Sequence, residues 1–81
     1  MLDIKVLGPG CINCEKLYNL CNEVVTENNL QAQIEKIVDP NKFLDYGIML
    51  TPALIVNNKI LTQGKLPTKS TLEHWLKDLS K

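Results

Sequence analysis

The chain has 81 residues, 44% of them hydrophobic, and its nine lysines balance nine acids without a single arginine. That is the composition of one globular domain, residues 1–81, near the lower size limit for folding on its own core, and it lacks both the basic surface of a nucleic-acid binder and the guanidinium forks of phosphate recognition. No apolar run reaches the length of a membrane span, and Met1-Leu2-Asp3-Ile4-Lys5 reads into a strand rather than a secretory leader, so the expected location is the cytoplasm.

Leu2 to Leu7 alternates apolar and charged residues and predicts a strand, stopped by Gly8-Pro9-Gly10. From Cys11 to about Asn28, Cys14, Leu17, Cys21, Val24 and Val25 recur at helical spacing and predict an amphipathic helix, ended by Asn28-Asn29. Gln31 to Val38 reads as a second strand, with Ile37-Val38 one step out of phase with Ala32 and Ile34. Asp39 can cap a short helix with Pro40 in its first turn, carrying Phe43 and Leu44 and fading by Gly47. Ala53 to Val56 is a short, wholly apolar strand; Asn57-Asn58 signals a tight turn, and Lys59 to Thr62 returns as the second arm of a hairpin. The last helix follows Pro67, carries Leu72, Trp75, Leu76 and Leu79 as its core stripe, and can be capped by Thr68 or Ser70, the latter in a capping box with Glu73. The order βαβαββα predicts an α/β protein: a four-stranded mixed sheet with helices on both faces, most of its core lying under the two longer helices.

Three cysteines are too few, and the wrong parity, for a structural disulfide framework. In a reducing compartment, the pair Cys11-Ile12-Asn13-Cys14 points to redox chemistry or metal binding. Its position just after a strand and at the first turn of a helix favours an anion, because unpaired N–H groups and the positive end of the helix dipole converge there. A thiolate is such an anion, and it is the attacking species in thiol–disulfide exchange. Cys11 is therefore the expected nucleophile, and Cys14, one turn later, faces inward to resolve the mixed disulfide. Gly8 and Gly10 allow the sharp turn and let a partner's backbone approach beside Pro9. Thr51-Pro52, leading straight into Ala53-Leu54-Ile55-Val56, is a second signal: a proline that opens a strand and suits a cis bond.

Together these pieces resemble the thioredoxin superfamily, in particular its small glutaredoxin-sized branch of redox-active disulfide proteins. The matching segments are Gly8-Pro9-Gly10-Cys11-Ile12-Asn13-Cys14, Thr51-Pro52-Ala53-Leu54-Ile55-Val56-Asn57-Asn58-Lys59, and Gly64 ahead of the last helix. The resemblance implies a thioredoxin fold and a dithiol–disulfide oxidoreductase that works without a bound cofactor. It implies that Pro52 is cis and sits beside Cys11, and that the Thr51 backbone, with Pro9 and Gly10 nearby, receives an extended substrate segment. The implied partners are a protein disulfide and a thioredoxin-reductase-like electron donor, with the chain acting as a monomer and with no nucleic-acid or membrane partner. Two differences stand out. Lys5 occupies the place where thioredoxins carry a buried acid six residues before the first cysteine, and Thr62-Gln63-Gly64-Lys65-Leu66-Pro67 replaces the Gly-Gly step of glutathione-dependent glutaredoxins.

The alternative reading is a soft-metal module in which Cys11 and Cys14 hold copper(I) or zinc. Cys21, seven residues beyond Cys14, lies two turns on, roughly 10 Å along the axis, too far to bond to Cys14. It reads as core, and His74 reads as a solvent-facing residue of the last helix. Glu15 and Lys16 flank the helix start and push a Cys11 thiolate in opposite directions.

Overall fold

The computed structural model describes residues 2–10 and 12–80. Along the chain run β1 (Leu2–Leu7), α1 (Ile12–Glu27), β2 (Ala32–Ile37), α2 (Pro40–Asp45), β3 (Ala53–Val56), β4 (Lys59–Gln63) and α3 (Lys69–Leu79), the βαβαββα order expected. The strands form one sheet in the order β2-β1-β3-β4. β1 pairs in parallel with β2 and antiparallel with β3, and β3 pairs antiparallel with β4.

Local chemistry accounts for the punctuation. α1 stops where Asn29 takes a left-handed φ of 52° and the Leu30 N–H reaches back to the Val25 carbonyl at 3.0 Å, which closes the last turn. Asp39 caps α2 by accepting from the Asn41 N–H at 3.0 Å, with Pro40 in the first turn. Asn57 and Asn58, at φ 53° and 66°, make the two-residue hairpin turn, the combination for which asparagine is suited. In α3 the cap is Thr68, whose hydroxyl accepts from the Thr71 N–H at 3.2 Å. The expected Ser70–Glu73 box is not used: the helix starts earlier, and Glu73 instead accepts from the Asn28 side chain at 3.3 Å, tying α3 to the end of α1.

The sheet has two unequal faces. On one, Leu2, Ile4, Val6, Leu54 and Val56 pack against Leu17, Cys21 and Val24 of α1 and Leu72 and Leu76 of α3. Trp75 is half-buried at the margin of this core, and His74 is exposed. On the other face, Leu7, Ile37, Ala53 and Ile55 meet Ile48, with Phe43 and Tyr46 packed against them. The phase slip in β2 follows from this division. Ile37 turns to the α2 side, while Lys36 takes the α1 side, where a charge can reach solvent along its apolar stem.

Candidate functional site

Register brings the two sequence signals together. Leu7, the last residue of β1, pairs with Ala53, the first of β3. One residue beyond this pair, β1 runs into Gly8 and β3 is entered from Pro52, so both segments emerge at the same end of adjacent central strands. The Thr51–Pro52 bond is cis, as the resemblance implied. Pro52 is buried and Thr51 half-buried, whereas Pro9 and Gly10 are exposed. Cys11 lies outside the described residues.

Cys14, the third residue of α1, is buried and faces inward as expected. What it faces is Gly8. A Cβ placed on Gly8 would stand 2.0 Å from the Cys14 Sγ and 2.9 Å from its Cβ, so the thiol occupies the space that any other side chain would need. Gly8 also donates its N–H to the Ile37 carbonyl at 2.9 Å, extending the β1–β2 ladder one residue into the loop. Gly10, at φ +94°, supplies the left-handed step into the helix. Of the two glycines, one is required by contact and the other by backbone conformation.

The segment before Pro52 is held by Gln63, whose part in the site has no signal in the sequence. The Gln63 Oε1, at the end of β4, accepts from the Met49 N–H at 3.1 Å and the Leu50 N–H at 3.4 Å. The Gly64 N–H then donates to the Pro52 carbonyl at 2.9 Å. A lone glutamine in a strand carries no signature, and its partners are identified only once β3 and β4 pair. Around this end of the molecule Ile12 and Met49 are 75% and 87% exposed, with Leu50 and Leu66 also outward.

Cys21 is fully buried in the main core, and burial pushes its thiol up to about 12. Its neutral form is the only one the apolar site accepts. Below the ordinary thiol value the group is protonated in both folded and unfolded chains, and its contribution to stability is complete. As the pH rises from about 9 towards 12 only the unfolded chain ionises, so stability falls across that window. Denaturant unfolding between pH 8 and 11 is expected to show this decline, and Cys21→Ala is expected to flatten the alkaline slope at some cost in stability. An equal slope in both proteins would contradict the assignment.

The family model for the thioredoxin domain matches residues 2–77 of the chain. The chain belongs to the thioredoxin family. A thioredoxin of Methanothermobacter thermautotrophicus is 30% identical over 73 residues, covering 90% of this chain and 95% of that protein. Two thioredoxins of Methanocaldococcus jannaschii are 29% and 30% identical, covering 95% and 86% of this chain and 88% and 85% of their own lengths. Membership supports a thiol–disulfide oxidoreductase-like role in general terms. No helix among the described residues is long and apolar enough to cross a membrane.

Position 5, where the resemblance implies a buried acid, is Lys5. It lies on the α2 side of β1, its Nζ 2.7 Å from the Asp3 carboxylate and 5.9 Å from the centre of the Tyr46 ring. The hydrogen bond to Asp3 holds its ammonium above the ordinary lysine value. Along β1, Asp3 is further from Gly8 than Lys5 is, so this ion pair points away from the strand end where Gly8 meets Cys14 of α1. Among the described residues no three His, Cys, Asp or Glu side chains gather into a metal-binding group.

Proposed function

We propose that this protein is a cytoplasmic dithiol–disulfide oxidoreductase in which Cys11 attacks and Cys14 resolves. The observation that carries the reading is Cys14, buried over Gly8 in the first turn of α1, where Gly8 follows β1 at the end at which the cis Thr51–Pro52 segment enters the neighbouring strand β3. The Cys11 thiolate attacks one sulfur of a protein disulfide; a Cys11–substrate disulfide forms and the other substrate sulfur leaves as a thiolate, which takes up a proton. Cys14 then gives up its proton and attacks the Cys11 sulfur, releasing the second substrate thiol and closing Cys11–Cys14. Two electrons pass to the substrate, and a thioredoxin-reductase-like donor restores the dithiol.

Substrate recognition is assigned to the end of the molecule where these segments meet. With Gln63 occupying the Met49 and Leu50 N–H groups, the Thr51 backbone is the part of the segment left to pair with an extended chain. Exposed Pro9 and Gly10 offer little bulk against it, and outward Ile12, Met49, Leu50 and Leu66 suit apolar side chains of an unfolded or flexible polypeptide. The test is equilibration of metal-free protein in dithiol redox buffers. A reversible two-electron transition near the thioredoxin potential of about −270 mV is the expected result. Absence of any reversible Cys11–Cys14 disulfide, above all with tight stoichiometric copper or zinc, would overturn the reading.

A further inference from the structure

The start of α1 carries two opposite charges, Glu15 and Lys16, immediately after Cys14. Their effects on a thiolate at Cys11 cancel only if both act alone, and the fold ensures that they do not. From β2, Lys36 rises on the α1 side of the sheet and places its Nζ 2.5 Å from the Glu15 Oε1. The same ammonium stands 4.9 Å from the centre of the Tyr18 ring, one turn further along α1. The ammonium thus meets a carboxylate and an aromatic face at once. Lys16 makes no ion pair among the described residues. The sum at this helix start is therefore one neutralised acid and one uncompensated lysine, added to the positive end of the helix dipole.

We propose that Lys36 is a positioning residue for the redox centre: by neutralising Glu15 it raises the fraction of Cys11 present as thiolate and hence the reactivity of the Cys11–Cys14 couple. The inference rests on the oxidoreductase reading for its meaning, but its measurement does not require a disulfide to form. As an ion pair at the surface, Lys36–Glu15 contributes little to stability, so its removal leaves the fold intact. Its effect on a nearby anion is different in kind, because a single unpaired carboxylate near the helix start opposes a second negative charge.

Thiolate absorbance of the reduced full-length protein, followed across pH with the Cys11→Ser protein subtracted as blank, reads the effect directly. Lys36→Met is expected to lower the thiolate-to-thiol ratio at a given pH about threefold, by leaving Glu15 unbalanced. Glu15→Gln is expected to raise it by a similar factor, because Lys36 is then unbalanced. The double variant and Lys36→Arg are expected to stay near the parent, and the single-variant shifts to shrink in high salt. A merely structural role would move both single variants in the same direction. That pattern, or the failure of either single variant to move as stated, overturns the proposal. Loss of the disulfide equilibrium in the parent protein would instead count against the oxidoreductase reading alone.

Discussion

Gly8→Ala is expected to destabilise the protein by about 3 kcal/mol and to disable disulfide chemistry at the same time. The added methyl would lie 2.0 Å from the Cys14 Sγ, so the thiol must swing away or the start of α1 must lift from β1. Neither adjustment is small, because Cys14 is buried and its own Cβ is only 2.9 Å from the new atom. A domain of this size has a total stability of roughly 4–12 kcal/mol, so the loss should lower the melting temperature by on the order of 10–20 °C. Two companions separate the causes. Gly10→Ala changes a residue at φ +94° with open space around it, and should cost only about 1 kcal/mol through the backbone without touching Cys14. Gly8→Ala placed in a Cys14→Ala background should cost less than in the parent, because the closest contact is gone. Urea unfolding of the parent, Gly8→Ala, Gly10→Ala, Cys14→Ala and the Gly8→Ala/Cys14→Ala double variant measures both terms. Equal costs in the two backgrounds would show that Gly8 is needed for the turn rather than for the thiol.

How far this arrangement was legible beforehand depends on how local each cause is. Asp39-Pro40 and Asn57-Asn58 act on their own turns, and the structure uses them as the residue types predict. The stripe of Cys14, Leu17, Cys21 and Val24 is likewise a property of one helix, and all four are buried. The cap of α3 was open in the sequence, since Thr68 and Ser70 are both competent. The earlier start puts Lys69 in the first turn, where its Nζ lies 2.6 Å from Glu27 and 3.7 Å from Glu23 of α1. That tie depends on how the two helices meet. The same limit hid the supports of the site. Gln63 serves a segment thirteen or more residues away, and Lys36 meets Glu15 across twenty-one. The balance between Glu15 and Lys16 was undecidable from spacing because its third member comes from β2. In sequence Gly8 is a turn residue; in the fold its missing side chain is the seat of the Cys14 thiol.

The serine pair is expected to produce the largest change in activity and to divide the two cysteines by role. Cys11→Ser should reduce turnover of a protein disulfide such as insulin to background, because a serine hydroxyl is not ionised at neutral pH and cannot replace the attacking thiolate. Cys14→Ser should behave differently. Attack by Cys11 remains possible, but with the resolving thiol gone the covalent intermediate accumulates, visible as a Cys11–substrate disulfide on a non-reducing gel and by mass spectrometry. In that variant the serine oxygen fits where the sulfur sat over Gly8, though burying a hydroxyl there should cost about 1 kcal/mol. Both variants should therefore fold, so that loss of turnover reports chemistry rather than unfolding. Full turnover by Cys11→Ser would remove Cys11 from the mechanism. Undiminished turnover by Cys14→Ser, without trapped intermediate, would point to a single-thiol cycle in which an external thiol resolves Cys11. The buried position of Cys14 favours the two-thiol outcome: a thiol shielded from solvent cannot readily attack outside disulfides, yet in sequence it follows by only three residues the one it must attack.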